Sequence, residues 1–149
     1  MKNKILLADD DKSVRKSLER VLESEGFDVL TAEDSRAAVR EFIAKLPDLV
    51  LLDLNMPDKN GWEAFDLIEA LHPLVPVIII TARPHQFGRA KMAGADALME
   101  KPLDFPLLVQ AVNRLLKEPD DQRLARVCSS EFSTEWLANE SSAFEPDEQ

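Results

Sequence analysis

Five residues of this 149-residue chain could do chemistry together: Asp9, Asp10, Asp53, Thr81 and Lys101. Asp53 raises the question most sharply, because it closes the apolar run LVLLD and is followed by LNMPDKNG, which turns through Asn55, Pro57 and Gly61. A buried strand gains nothing from an unpaired charge. Asp53 is therefore either the first residue out into solvent or a residue with a task. Each of the five alone has a plain explanation. The acids Asp9 to Asp11 fit a solvated loop whose last member caps a helix, Thr81 fits an ordinary strand, and Lys101 fits a surface charge before a turn. Gathered at one place, three carboxylates repel and need a compensating cation. Hard carboxylate oxygens with room for water suit Mg²⁺ better than a softer metal. A metal, a lysine, a hydroxyl donor and one reachable carboxylate are the parts needed for phosphoryl transfer. Asp53 would be the nucleophile, with Lys101 and the metal stabilising charge on the moving oxygens. Thr81 would donate a hydrogen bond to the group once in place.

Whether they meet depends on the elements that carry them. Short apolar runs at Ile5–Ala8, Asp28–Thr31, Leu49–Leu52, Val77–Ile80 and Ala97–Met99 read as strands, and three of them are continuous enough for a parallel sheet covered on both faces. Between them run stripes of helical period: Val14, Leu18, Val21 and Leu22, then Val39, Phe42, Ile43 and Leu46, then Phe65, Ile68 and Leu71, and last Leu108, Ala111, Val112 and Leu115. Gly26, Pro47 and Pro76 punctuate the alternation. Five strands alternating with helices predict right-handed crossovers and an open α/β fold of flavodoxin-like (βα)5 type, a doubly wound parallel sheet in the order 2-1-3-4-5. In that order the ends of the first, third, fourth and fifth strands are neighbours, beside the switch point where such sheets bind ligands. All five residues sit at those ends.

Composition excludes several classes of function. Hydrophobic residues make up 45 % and charged residues 31 % of the chain, a globular balance. A formal net charge of −10 argues against unaided nucleic-acid binding and against an anionic membrane surface. No apolar run approaches membrane-spanning length, and the first residues do not read as a signal peptide. A single cysteine, Cys128, gives neither a disulfide nor a metal framework. A cytoplasmic location is expected.

The acidic pair in ILLADDD, the aspartate in LVLLDLNMPDKNG, the TA of IIITA and the KP of GADALMEKPLD, in this order, resemble a response regulator receiver domain of two-component signalling, the CheY-like superfamily. The resemblance covers roughly residues 3 to 118. It implies phosphotransfer onto Asp53 from a histidine kinase or phosphotransfer protein. It also implies Mg²⁺ held by Asp10, Asp53 and the backbone carbonyl of Asn55, with Asp9 acting through water, and a cis bond before Pro102. Such a domain catalyses only its own phosphorylation and dephosphorylation and signals by binding a further protein. A phosphohydrolase with an aspartate nucleophile is disfavoured, because that class places a D-x-D pair on its first strand. A receiver-like domain that binds partners without phosphorylation would lack one of the acids or the lysine, and none is missing.

Two departures concern output. Where the family carries an aromatic switch residue three positions before the lysine, this chain has Leu98. The segment TARPHQFGRAKMAGAD is shorter than usual and holds Pro84 and Gly88, so the fourth helix should be short or begin late. Residues 1–118 are read as the receiver domain and 119–149 as an acidic C-terminal tail of net charge −6, without an output domain. If residues 130–138 are helical, Phe132, Trp136 and Leu137 share one side and suggest docking; an unstructured acidic terminus is the alternative. His72 fits a helix end, His85 a loop near the site, and Trp62 a packing position. The kinase, the downstream protein and homodimerisation stay open.

Overall fold

A computed structural model describes residues 2–56 and 61–138. Pro57 therefore lies outside the described residues. The elements β1 (Lys4–Ala8), α1 (Lys12–Ser24), β2 (Asp28–Ala32), α2 (Ser35–Lys45), β3 (Leu49–Asp53), α3 (Gly61–Leu71), β4 (Val77–Thr81), α4 (Phe87–Ala93), β5 (Ala97–Glu100) and α5 (Phe105–Lys117) follow in chain order. Each expected strand is present, one residue longer than its expected run. The sheet order is β2-β1-β3-β4-β5, all parallel, with a sixth strand added beyond β5.

Two-sided burial explains the composition of the central strands. β3 and β4 are buried at every position, as continuous apolar runs require when helices cover both faces. Side chains alternate between two cores. Leu6, Val50, Leu52, Ile79 and Leu98 pack with Phe42, Phe65 and Phe87 of α2, α3 and α4. Leu7, Leu49, Leu51, Ile78 and Met99 pack with Leu18, Leu22, Leu108 and Val112 of α1 and α5. Asp11, Asp34 and Asp104 cap α1, α2 and α5 through side-chain bonds to backbone N–H groups. Not every stripe residue is buried: Ile43, Leu46 and Leu71 are more than half exposed. Leu46 forms the α2 C-cap with a φ of 49°, past the last helical turn, so it leaves the stripe. The fourth helix begins only at Phe87 and spans seven residues, as Pro84 requires.

The chain after α5 does not follow its expected shape. It forms α6 (Asp120–Val127) and then β6 (Glu135–Trp136), parallel to β5. Residues 130–138 are thus not a helix. A strand sends successive side chains to opposite faces, so Trp136 joins the core that holds Leu98 while Leu137 joins the core that holds Met99. Phe132 stands apart, half-buried with the Arg126 guanidinium 5.2 Å from its ring. The open edge of β5 offered backbone groups to pair, and an edge of that kind selects an extended partner.

The anchor of this segment is a buried ion pair. Arg123 donates from Nη1 and Nη2 to the Asp96 carboxylate at 2.7 and 3.0 Å, and from its guanidinium to the carbonyls of Leu74 and Val75. Asp96 also accepts the Val77 N–H at 2.9 Å. These contacts place α6 at the amino-terminal ends of β4 and β5, opposite Asp53 and Thr81. Removing Arg123 leaves the buried Asp96 carboxylate with the Val77 N–H and one longer contact, 3.3 Å, to Arg126. Arg123→Met should therefore lower the unfolding free energy by about 3–5 kcal/mol in urea titrations. Arg126→Ala, whose side chain is 34 % exposed, should cost no more than about 1 kcal/mol.

Candidate functional site

The sheet brings the five singled-out residues together. β1 and β3 are adjacent, with Ala8 opposite Leu52, so Asp9 and Asp53 emerge side by side. Asp53 pairs with Ile80, and Thr81 with Glu100. The Lys101 N–H bonds to the Thr81 carbonyl at 2.7 Å, which ties the lysine to the end of β4. Lys101–Pro102 is a cis peptide bond.

The side chains converge. Lys101 Nζ lies 2.9 Å from Asp9 Oδ2 and 3.4 Å from Asp53 Oδ2. One oxygen from each of Asp9, Asp10 and Asp53 lies within 4.8 Å of the others. Asp9 and Asp53 are buried and Asp10 is exposed, so the cluster has a dry floor and a wet opening. Each buried carboxylate is also held by backbone: Asp9 Oδ1 accepts the Asp11 N–H at 2.9 Å, and Asp53 Oδ1 accepts the Asn55 N–H at 3.0 Å. Asp11 itself turns away to cap α1. The donor set is all hard oxygen and open to water on one side, which fits Mg²⁺.

Electrostatics sets the protonation of the nucleophile candidate. Burial raises the Asp53 pKa to about 6, and the Asp9 charge adds to the rise. The Asn55 N–H and Lys101 pull it down by less. For Lys101, burial opposes the charge, but the hydrogen bond to Asp9 and the two carboxylate charges prevail and hold its pKa above the ordinary lysine value. Thr81 is fully buried, and its Oγ1 accepts the Arg83 N–H at 2.9 Å.

Several supporting residues gave no signal in the sequence. Arg15 of α1 donates to the Asp9 carbonyl at 2.7 Å, yet reads as one more charge on a solvated helix face. A Cβ on Gly61 would meet Leu54 Cα at 2.5 Å and the Asp53 carbonyl at 2.7 Å. Only glycine lets α3 start that close to the strand end carrying Asp53. Trp62 is buried, as expected for packing, but its Nε1 also donates to Gln86 Oε1 at 3.2 Å and the Arg89 guanidinium lies 5.0 Å from its ring. Leu98, in the switch position, has Trp136 of β6 beside it in register. His85 is exposed in the β4–α4 loop with a φ of 61°, and the His72 N–H closes α3 on the Ile68 carbonyl at 2.9 Å.

Comparison with known proteins agrees with this fold. A family model described as the response regulator receiver domain matches residues 5–113. The chain belongs to that family, the receivers of two-component response regulators. It is 38 % identical over 117 residues to the transcriptional regulatory protein CpxR of Escherichia coli K12, covering 77 % of this chain and 50 % of that protein. It is 38 % identical over 116 residues to the transcriptional regulatory protein PrrA of Mycobacterium tuberculosis, again covering 50 % of the relative. The chain thus spans about half the length of these curated relatives. Among solved structures, a CheY-like receiver domain protein from Methanospirillum hungatei superposes with a TM-score of 0.75 at 28 % identity, covering 84 % of this chain and 99 % of that one. The response regulator TrrA of Thermotoga maritima, solved with Mg²⁺ and a beryllium fluoride, gives 0.70 at 32 % identity, covering 77 % of this chain and 99 % of that one. Among the described residues, no helix is long and apolar enough to cross a membrane.

The raised Asp53 pKa is also a statement about stability. A group whose folded pKa lies above its unfolded value stabilises the fold when protonated. That contribution is full below the unfolded value, here 3.8, and is lost as pH rises through about 6. At pH 7.5 the ionised Asp53 is therefore a destabilising charge. Asp53→Asn should raise stability there by on the order of 2 kcal/mol, and the gain should vanish by about pH 4 in thermal melts without metal.

Proposed function

We propose that the chain accepts a phosphoryl group on Asp53 from a histidine kinase or phosphotransfer protein, in a Mg²⁺-dependent reaction, and signals by phosphorylation-dependent binding of another protein. The observation that carries the reading is Lys101 Nζ set between Asp9 and Asp53, with Asp10 at the open rim. An Asp53 oxygen attacks phosphorus, the bond from phosphorus to the donor nitrogen breaks with its electron pair going to that nitrogen, and the donor ring, protonated on its other nitrogen, leaves as neutral imidazole. The Asp53 oxygen that remains faces Lys101, which stays protonated and cannot serve as the acid. Thr81 keeps its hydroxyl proton to donate to the transferred group. Asp9, Asp10, Asp53 and the Asn55 carbonyl would hold Mg²⁺, which neutralises charge on the transferring oxygens. The Mg²⁺ bound to the related TrrA supports this choice of metal.

No external substrate is turned over in this reading, so the protein is not an enzyme in the ordinary sense. The net charge of −10 favours a protein over nucleic acid as the direct partner of these residues. A cytoplasmic site of action follows from the phosphodonor, and the exposed single Cys128 suits a reducing compartment.

Incubation with acetyl phosphate and Mg²⁺ should add one phosphoryl group, labile to hydroxylamine, and Asp53→Asn should abolish it. Modification mapping to His85 or a serine would overturn the mechanism. Lys101→Ala should slow phosphorylation. Asp10→Asn should weaken Mg²⁺ binding, followed by tryptophan fluorescence, at least about tenfold, the scale on which even outer-shell partners act.

Because Leu98 is buried and carries no polar tip, activation should instead appear as reordering of residues 82–93. Amide exchange with and without beryllofluoride checks this. Silence of that segment alongside changes confined to β5 and α5 would exclude it.

A further inference from the structure

β6 lies at the end of a path of contacts that starts at Thr81. The Thr81 hydroxyl accepts the Arg83 N–H, and Arg83 lies in a loop where His85 holds a φ of 61°. That loop enters α4 at Phe87 with no side-chain cap. Phe87 is buried, and its ring stands edge-on to Trp136, centroids 5.5 Å apart and planes at 72°. A hydroxyl that turns from Arg83 toward a phosphoryl group on Asp53 frees this loop, and Phe87 is the first ring beyond it.

Unlike α6, which a buried ion pair anchors, β6 is held by neutral contacts and an exposed ion pair, with Leu137 buried in the core beside Met99. The ladder bonds to β5 include those from the Glu135 N–H to the Asp96 carbonyl at 3.0 Å and from the Leu137 N–H to the Leu98 carbonyl at 2.9 Å. Thr134 Oγ1 donates to the Ala95 carbonyl at 2.6 Å. The ion pair of Glu135 with Arg114 has side chains 46 % and 55 % exposed, and pairs of that kind contribute little. Trp136 Nε1 is buried and finds no acceptor among the described residues, a cost that exposure to water removes. By contrast Arg123 and Asp96, the anchor of α6, are almost wholly buried. One end of the segment is pinned and the other is poised to leave.

We infer that Thr134–Leu137 is a strap gated by the state of Asp53. With Asp53 unmodified it closes the edge of β5. With Asp53 phosphorylated it detaches, while α6 stays in place, and the backbone of β5 from Asp96 to Leu98 is uncovered as an edge open to pairing. The inference rests on Asp53 being the phosphoacceptor.

The test uses the full chain with Mg²⁺ and beryllofluoride, uptake being followed by fluorine NMR and strap opening by exchange of the Glu135 and Leu137 amides. Both amides should exchange at least about fivefold faster on uptake, the lower end of typical coupling between sites. Coupling is reciprocal, so loosening the strap should tighten beryllofluoride binding by a similar factor of about five or more. Trp136→Ala removes the ring contact. Glu135→Arg sets like charges against each other at the surface and leaves the core untouched, so it reports even if Trp136→Ala misfolds. Uptake with unchanged exchange at both amides, and unchanged affinity in Glu135→Arg, would overturn the strap alone. No uptake by the wild-type chain would overturn the phosphoacceptor reading and the strap with it.

Discussion

Asp9, Asp10 and Asp53 are crowded at the carboxyl ends of two neighbouring strands, and Lys101 is the cation set against them. Asp9 and Asp53 are buried, and at Asp53 burial and the Asp9 charge both disfavour ionisation. The fold retains them by supplying backbone N–H donors from Asp11 and Asn55, a lysine tied to β4 through its own amide, and a rim open to water and metal. Under the proposed function such a cluster costs stability while it waits and gains most when a further cation and a phosphoryl group arrive. Stability given up at a site is characteristic of sites arranged for charge that develops later.

The opposite end of the same strands is organised the other way. There Asp96 meets Arg123 in a dry, geometrically complete pair whose donors are shared with the carbonyls before β4. Like charges gather at the carboxyl ends, where chemistry needs them, and opposite charges at the amino ends, where only structure is served. The sheet between is buried on both faces and transmits register rigidly. Change at Thr81 is therefore expected to travel along the surface, through the β4–α4 loop, and not through the core of the sheet.

That loop and the segment after α5 distinguish this receiver from its family pattern. Helix α4 is a two-turn element with no side-chain cap, and the aromatic ring next to the switch position comes from β6 instead of β5. Leu98 and Phe87 share one core, and Trp136 packs against it with its ring edge-on to that of Phe87. An aromatic contributed by a peripheral strand can leave with that strand, whereas one on β5 can only rotate in place.

Much of this was legible from residue order alone. Apolar runs such as LVLLD and VIIIT, buried on both faces, can only be central strands, and their spacing by helical stripes dictates the crossover topology and the neighbours of Asp53. The convergence of Asp9, Asp10, Asp53, Thr81 and Lys101 follows from that order, because strand ends of a parallel sheet share one rim. Other features were decided only by the tertiary structure. Gly61 reads as a turn glycine, and its true constraint is the backbone of Leu54 lying against it. Arg15 and Arg123 look alike as helix-face cations, yet one grips the Asp9 carbonyl and the other is buried on Asp96. The stretch SSEFSTEWLA reads as a docking helix or as an unstructured terminus, since so short an apolar pattern does not fix a period. The unpaired edge of β5, a property of the folded sheet and of no residue in that stretch, made it a strand.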